Sequence, residues 1–325
     1  MLVIRNICKS QSNYVKITKN DTRKIPDKAF THGGTFHSDD VFSAALLKML
    51  NQNIVIERGF QVPKNYDGLI FDIGGGEFDH HQIDNEIREN GVPYASFGKL
   101  WQAFGNRLVN EDSVRDIDEK LVQSIDLTDN TGQYNPLSMT ISDMNPFWHD
   151  KNPDFNASFN AAVDMASIIL SNNIEQARSR EIAKNIAMQA YNNSECKEII
   201  VLDEFIPAAP YLADTNAEFI IYPSNRGGYN VQTIPTTQDG TDSKIPLPES
   251  WAGKGIEAAS VSDIDDMTFC HTGRWICATN TLEGAVKAAI VAICEEERYT
   301  EKMDVLFDKV MPNDDRIIEH VLGEE

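Results

Sequence analysis

Short apolar runs alternate with longer amphipathic segments in the first part of the chain, and this pattern predicts an α/β domain. Asn53–Glu57 and Gly68–Asp72 are rich in β-branched and aliphatic residues, which favours strands. Apolar residues spaced three and four positions apart predict helices over 39–50, 96–109, 113–127, 157–171 and 173–192. This order of strands and helices is typical of a doubly wound, mostly parallel sheet with helices on its faces.

A second set of strands begins after the last of these helices and predicts a smaller α+β domain. Strands are expected at 198–202, 218–222, 229–235, 267–271 and 274–278, and a long helix at 281–298. We place the domain boundary near 193–197. The chain then consists of a domain of residues 1–193, with an N-terminal extension over 1–27, and a domain of residues 197–325 with an acidic C-terminal tail. A length of 325 residues agrees with two domains.

The composition is that of an ordinary globular protein. Hydrophobic residues make up 41% of the chain and charged residues 24%. No apolar run approaches the roughly 20 residues of a membrane span, and the first residues lack the pattern of a secretory signal. The five cysteines are scattered, which suits reduced thiols. We therefore expect a cytoplasmic protein without a membrane partner.

The charge is strongly negative and unevenly distributed. The formal net charge is −21, yet residues 1–28 hold seven basic and two acidic residues. This basic segment has the composition of a targeting presequence, but its alternating apolar residues favour a short β extension. The acidic remainder argues against a protein that coats long nucleic acids, because such proteins neutralise phosphates with Lys and Arg. It leaves open an enzyme that holds one phosphate through bound cations.

The residues with the most chemistry lie in three polar segments at predicted strand ends. These are the loop THGGTFHSDD at 31–40, Asp72 before three glycines, and FDHHQ at 78–82. Four of the seven histidines lie in the first and third segments. In an open α/β sheet, ligands bind at the carboxyl ends of the strands. We therefore expect these segments to form one site.

Each of these residues has an ordinary structural explanation when it is taken alone. Asp39 or Asp40 can cap a helix, Asp72 can stabilise a loop, and a single histidine is usually structural. Their collection at one sheet edge favours a metal site instead. Imidazole mixed with carboxylate, without thiolate, suits Mn²⁺, Co²⁺, Zn²⁺ or Fe²⁺ better than Ca²⁺. There are more such groups than one ion needs, which points to two divalent ions.

The segments that carry this chemistry also carry a resemblance. FDHHQ resembles the signature of the DHH phosphoesterase superfamily. THGGTFHSDD, followed by the helix VFSAALLKML, more narrowly resembles the melanocyte proliferating gene family of predicted metal-dependent hydrolases. The resemblance continues through 229–235, 247–251, 268–271 and 280–284, so it covers roughly residues 28–295. That family usually has Asn where Gly33 stands and Cys where Ser38 stands.

The resemblance implies a role for each residue of the site. His32 and His37 would bind one metal ion, Asp39 the other, and Asp72 both. His80 would complete the second ion's ligands, together with an aspartate from the segment 124–130, for which both Asp126 and Asp129 remain open and Asp129 is favoured. His81 would be catalytic and face the substrate phosphate, and Asp79, the second catalytic residue, would orient both His80 and His81. Because His80 and His81 are adjacent in an extended loop, we expect them to point in roughly opposite directions.

The resemblance also implies an activity. The expected protein is a metal-dependent phosphodiesterase, a 3′-to-5′ exonuclease on RNA or short oligonucleotides, whose two Mn²⁺ ions activate a water. Zn²⁺, Co²⁺ and Fe²⁺ are the other ions considered, and a homodimer is left open. Two alternatives remain, namely hydrolysis of pyrophosphate or a cyclic dinucleotide, and a regulatory protein that binds metal without turnover. The second domain would close the cleft and bind substrate through His271, Arg274 and Lys244.

Overall fold

The computed structural model describes residues 22–83, 85–255, 257–297 and 303–311. The β extension expected before residue 22 and the acidic tail expected at the C-terminus lie outside the described residues. The chain divides into two compact units, Met1–Arg178 and Ser179–Glu325. This division falls inside a long helix, whereas the expected boundary at 193–197 lies after that helix.

A three-stranded parallel sheet forms the centre of the first unit. The strands are β1 (Lys28–His32), β2 (Val55–Gly59) and β3 (Leu69–Ile70), in the order β2-β1-β3. Phe30 on β1 pairs with Glu57 on one side and Ile70 on the other, both in parallel register. The prediction of a parallel sheet is confirmed. β2 begins and ends two residues later than expected, and β3 is shorter than expected because the chain turns at Asp72, which has φ 56°.

Helices enclose this sheet. They are α1 (Ser38–Leu50), α2 (Ser96–Phe104), α3 (Glu111–Ile117), α4 (Gln123–Thr131), α5 (Pro136–Ser142) and the first part of α6 (Phe155–Asn193). The helix expected at 96–109 ends in a 3₁₀ turn at Gly105–Arg107. The helix expected at 113–127 is α3 joined to α4 by a π-helical turn at Asp118–Val122. The buried side chains of Phe42, Phe97, Trp101 and Phe159 fill the core.

The two helices expected at 157–171 and 173–192 are wrong, since α6 is continuous over 39 residues. The expected break fell at Asn172, and asparagine lowers helix propensity only modestly. No Gly or Pro interrupts the segment. The Asn173 side chain instead donates to the backbone oxygen of Ile169 at 2.9 Å, one turn earlier.

The second unit contains a five-stranded mixed sheet. Its strands are β4 (Ile199–Val201), β5 (Phe219–Pro223), β6 (Tyr229–Thr233), β7 (Met267–Cys270) and β8 (Ile276–Thr279), in the order β4-β5-β6-β8-β7. Only β4 and β5 pair in parallel. The helices are α7 (Ala258–Ser262), α8 (Leu282–Glu297) and α9 (Met303–Val310). The chain is thus a mixed α/β protein with a parallel sheet and a second, mixed sheet. No helix among the described residues is long and apolar enough to cross a membrane.

Candidate metal centre

The carboxyl ends of β1 and β3 and the start of α1 bring the predicted polar segments together. His32 is the last residue of β1, and His37 precedes the first turn of α1. Asp72 lies two residues beyond β3, in the left-handed conformation that short polar residues tolerate best. We call the following residues the His–Asp cluster: His32, His37, Asp39, Asp40, Asp72, His80 and Asp129.

Asp72 lies at the middle of the His–Asp cluster. Its Oδ2 is 3.2 Å from His32 Nε2, and its Oδ1 is 3.0 Å from His80 Nε2. The two oxygens of one carboxylate therefore face two different histidines. Asp72 is only 2% exposed, so both contacts lie inside the protein. Each side of the His–Asp cluster therefore contains one oxygen of Asp72.

Three carboxylates lie near the Nε2 atom of His80, and Asp72 is one of them. Its Nε2 lies 3.1 Å from Asp129 Oδ2 and 3.6 Å from Asp39 Oδ2. His37 Nδ1 lies 3.5 Å from the other oxygen of Asp129. The structure thus brings together aspartates and histidines from four separate segments of the sequence, which are 31–40, Asp72, 78–82 and 124–130.

The His32 side contains a carboxylate that the sequence analysis did not assign. Asp40 is fully buried, and its Oδ2 lies 3.2 Å from His32 Nε2. Its Oδ1 accepts a hydrogen bond from His37 N at 2.9 Å, so Asp40 also caps α1. The sequence indicated only the capping role of Asp40. Its position at the start of a helix explains that role fully and gives no sign of the contact with His32.

Arg58 is a second residue that the sequence did not reveal. Its Nη2 donates to Gly34 O at 3.0 Å and lies 4.0 Å from Asp40 Oδ2. The guanidinium stacks over the Phe159 ring at 4.1 Å. A lone arginine in a strand gives no signal in the sequence, yet its side chain is 2% exposed and helps to offset the charge of Asp40.

The pKa values of His32, His80 and Asp39 are shifted in the direction that adds positive charge to the His–Asp cluster or removes negative charge from it. Burial lowers the pKa of His32, but Asp40 and Asp72 outweigh burial and raise it to about 10. The pKa of His80 is likewise raised to about 10 by Asp129 and Asp72, against the effect of burial. Burial, and then the charge of Asp72 and Asp129, raise the pKa of Asp39 well above its usual range.

Unsatisfied atoms in the His–Asp cluster test whether it suits a metal ion. Four of its buried atoms lack a hydrogen bond of good geometry within the described part of the chain, namely Asp39 Oδ1, Asp40 Oδ2, Asp72 Oδ1 and His80 Nε2, although the last two lie 3.0 Å apart. Leaving such atoms unpaired costs free energy, which a bound cation removes. Ligand atoms also lie within 4.8 Å of one another in three groups, which are Asp72 with His80 and His81, His32 with Asp40 and Asp72, and His37 with Asp39 and Asp129. The donor set fits divalent transition ions.

His81 and Asp79 form an adjoining pair. Asp79 Oδ1 is 2.8 Å from His81 Nδ1, and Asp79 Oδ2 accepts from Gly75 N at 2.7 Å. The His81 side chain is 62% exposed, against 6% for His80. The expectation that the two histidines point in opposite directions is wrong, because their ring centroids are 4.2 Å apart. Asp79 Oδ1 contacts both the backbone N and the Nδ1 of His81, at 3.2 and 2.8 Å, and this holds the His81 ring beside His80.

Asp126 lies outside the His–Asp cluster. It is fully buried, its Oδ2 accepts from Arg88 Nη2 at 2.7 Å, and its Oδ1 accepts from Gly98 N at 3.0 Å. Arg88 also binds Asp118 through two hydrogen bonds of 3.1 and 2.8 Å. A Cβ on Gly98 would lie 1.8 Å from Asp126 Oδ2, so only glycine permits this approach. Burial raises the pKa of Asp126 to about 7, although Arg88 pulls it down. We call Arg88, Asp118 and Asp126 the Arg88 cluster.

The residues expected to bind substrate in the second unit make local contacts there. Lys244 Nζ donates to the carbonyl oxygens of Leu212, Thr215 and Ala217, at 3.3, 2.7 and 3.0 Å. Arg274 Nε donates to Leu247 O at 2.6 Å. His271 Nδ1 accepts from Gly273 N at 2.9 Å. The three contacts of Lys244 occupy all its donors, so the geometry gives it a role in holding the loop at 212–217.

The first unit is thus an α/β unit whose parallel sheet carries a candidate centre for divalent ions at the carboxyl ends of its strands. The MYG1 exonuclease family model, described as "Uncharacterised protein family (UPF0160)", matches residues 28–293. The chain belongs to this family, which confirms the narrower of the two resemblances seen in the sequence.

Curated relatives agree with this assignment. A Mus musculus protein named MYG1 exonuclease is 27% identical over 328 residues, covering 83% of this chain and 86% of the relative. The Homo sapiens MYG1 exonuclease is 26% identical over 327 residues, with the same coverage of 83% and 86%. A MYG1 protein of Schizosaccharomyces pombe is 26% identical over 318 residues, which cover 82% of this chain and 97% of the relative.

Proposed function

We propose that this chain is a metal-dependent 3′-to-5′ exonuclease that shortens RNA or short oligonucleotides. The observation that carries the proposal is Asp72, whose two oxygens face His32 on one side and His80 on the other at 3.2 and 3.0 Å. The names of the relatives, MYG1 exonuclease, favour a nuclease over other classes of hydrolase.

The proposed ligands follow the groups within the cluster. His32, Asp40 and Asp72 would hold one divalent ion, and Asp39, Asp72, His80 and Asp129 would hold the other. His37, which the resemblance assigns to the first ion, lies with Asp39 and Asp129 in the structure, 3.5 Å from Asp129 Oδ1. Mn²⁺ is the ion we favour. Such ions supply an activated water and neutralise the phosphoryl oxygens during displacement. The chain's own part is to hold these ligands in place and to exclude competing water from the buried carboxylates.

His81 is proposed to contact the substrate phosphate. Its ring is exposed, and Asp79 holds its Nδ1 at 2.8 Å, which directs the other ring nitrogen away from Asp79. A donor held in place beside a phosphate that gains charge in the transition state contributes on the order of 100- to 1000-fold to the rate. His81→Ala should therefore lower turnover and leave metal affinity nearly unchanged.

The test is a substrate panel with the full chain. RNA and DNA oligonucleotides labelled at either end, a cyclic dinucleotide and pyrophosphate are each incubated with Mn²⁺, Mg²⁺ or a chelator. We expect Mn²⁺-dependent loss of nucleotides from the 3′ end of RNA and no turnover with chelator. Shortening from the 5′ end, or turnover of pyrophosphate alone, would contradict the proposal.

A second candidate is supported by the charge distribution. Within the described part of the first unit, the arginine nearest the His–Asp cluster is Arg58, whose side chain is buried. A nuclease for long strands needs a basic path. A small phosphorylated substrate, such as a cyclic dinucleotide, does not, so preference for that substrate in the panel would favour this alternative. Mn²⁺ binding without any turnover would favour a regulatory protein.

A further inference from the structure

Four exposed aromatic residues of the first unit lie on chain segments that contact one loop, residues 33–38. Within the described residues of this unit, the exposed aromatic side chains are Phe60, Tyr134, Phe147 and Trp148, at 81%, 74%, 66% and 96% exposure. We call these four the aromatic rim. They come from three separate segments of the chain, so their distribution is not the result of one apolar run.

Phe60 makes the first contact between the aromatic rim and the loop between His32 and His37. It follows the last residue of β2, and Gly33 N donates to Gly59 O at 2.8 Å. A Cβ placed on Gly34 would lie 3.3 Å from the Phe60 ring. Phe60 therefore lies against the loop between His32 and His37, at the carboxyl end of the sheet.

The second contact holds the segment with Phe147 and Trp148. Asn145 Oδ1 accepts from Phe36 N at 3.0 Å, and Asn145 Nδ2 donates to Phe36 O at 2.9 Å. This reciprocal pair fixes the segment to the residue before His37. The next turn is closed by Asp150, which accepts from Phe147 N at 3.0 Å. Phe147 stacks on His149 with 15° between the rings, so the turn presents its aromatic side chains in a defined arrangement.

The third contact holds the segment with Tyr134. Asn135 caps α5 by accepting from Leu137 N at 2.8 Å. Ser138 in α5 accepts from the Ser38 hydroxyl at 2.8 Å, and this bond is buried. Ser38 is the residue after His37. All three rim segments are thus bonded to, or packed on, the single stretch of chain at 34–38.

We propose that the aromatic rim is a stacking surface for the bases of a single-stranded oligonucleotide whose phosphate lies at the His–Asp cluster. Every base has an aromatic face, so stacking on exposed rings binds single strands with little regard to sequence. Stacking also supplies affinity without basic residues, which fits a chain of net charge −21. This inference rests on the proposed function, because that function places a phosphodiester at the cluster.

The test measures binding of the full chain to two six-nucleotide single strands in Mn²⁺, by fluorescence anisotropy. Both carry hydrolysis-resistant phosphorothioate linkages, but one lacks its bases. We expect the strand with bases to bind on the order of 10- to 100-fold more tightly, since stacking on protein aromatic groups contributes at this scale. In the double variant Phe60→Ala, Trp148→Ala this preference should fall to nearly 1, whereas binding of the abasic strand should not change.

The matched control is Val55→Ala. Val55 is 59% exposed and lies at the opposite end of β2 from Phe60. It should keep the full preference for the strand with bases. Affinity for that strand should also depend weakly on salt, because few ions are released when stacking replaces contacts with Lys and Arg.

Three results would overturn the inference. They are equal binding of the two strands by the unmodified chain, a preference that survives in the double variant, and dimerisation of the chain that Trp148→Ala abolishes without any preference for bases. The proposed function fails separately. If the chain prefers the strand with bases but hydrolyses no phosphodiester, the stacking surface is supported and the proposed function is contradicted. If it hydrolyses RNA without any preference for bases, the proposed function is supported and the stacking surface is contradicted.

Discussion

Asp126 and Asp129 lie three residues apart on α4, but they belong to two clusters that differ in how the charge of their carboxylates is balanced. Asp126 belongs to the Arg88 cluster, where an arginine and a backbone amide satisfy both of its oxygens. Asp129 belongs to the His–Asp cluster, where Asp39 and Asp72 each keep an oxygen without a hydrogen bond of good geometry in the described residues.

This difference shows how to separate a structural acid from a ligand. A buried carboxylate is expensive unless it is paired with positive charge and hydrogen-bonded. Where the chain supplies a permanent cation, as Arg88 does, the carboxylate has no need of another ion. In the His–Asp cluster Arg58 reaches only Asp40, and the other carboxylates face imidazoles, whose charge depends on a proton, so an external cation can replace those protons. The comparison favours Asp129 over Asp126 as the ligand, a choice that mutagenesis can test.

The largest expected effect is on Asp72, because it serves both sides of the His–Asp cluster. Asp72→Asn keeps the shape and the tolerance of positive φ but removes the charge, so turnover should fall on the order of 1000-fold or more. The melting temperature without metal should change little, because the substitution removes the ion pairs of Asp72 with His32 and His80 but also relieves its repulsion of Asp39. Turnover of a labelled RNA and thermal unfolding are measured on the same preparation. Near-normal turnover at saturating Mn²⁺ would show that Asp72 is not a bridging ligand.

The Arg88 cluster should show the opposite response. Arg88→Met leaves Asp118 and Asp126 without their cation and should lower the free energy of unfolding by about 3–5 kcal/mol. The loss should shrink at lower pH. Burial already raises the pKa of Asp126 to about 7, and removing Arg88 raises it further, so the folded state binds a proton more tightly than the unfolded state. Stability is then retained below the unfolded pKa and lost as the pH rises through the folded one.

Urea unfolding of Arg88→Met between pH 5 and pH 8 measures this effect, with the unmodified chain as the control. A defect that grows towards pH 5 would contradict the assignment of the charge balance to Arg88.

A smaller effect separates the two aspartates of α4 directly. Asp129→Ala should lower Mn²⁺ affinity about 10- to 100-fold, at the scale seen when the ligands or supporting residues of metal sites are removed. Asp126→Ala should lower stability and leave the affinity of the folded protein nearly unchanged. Titration calorimetry with Mn²⁺ on both variants gives the comparison. Loss of affinity only in Asp126→Ala would reverse the roles.

The smallest effect is expected at Asn130, which connects the two clusters. Its Nδ2 donates to Asp126 O at 2.9 Å, and its Oδ1 lies 3.5 Å from His80 Nδ1. Asn130→Ala should lower Mn²⁺ affinity about 10-fold, because it no longer orients His80. The same titration measures this change. Thr128→Ala, at a partly exposed position on the same helix, is the control and should bind Mn²⁺ normally.

Much of the candidate site could be predicted because its residues follow strands. His32 and Asp72 close apolar runs, and parallel strands place their carboxyl ends at one edge. Asp40 and Arg58 were missed for physical reasons. The capping bond of Asp40 hides its second contact, and Arg58 is buried by residues distant in sequence. Helix lengths were the weakest part of the fold prediction, since the continuity of α6 depends on packing rather than on a sequence signal.

The left-handed backbone conformation at position 72 limits which amino acids the folded protein can accept there. Glycine adopts this conformation freely and asparagine and aspartate tolerate it, whereas β-branched and bulky residues do not. Among those three, aspartate alone has a carboxylate. In a saturation library at this position, selection for folded protein should therefore retain Asp, Asn and Gly, and selection for activity should retain Asp. Glutamate, the usual conservative exchange, should be lost from both pools.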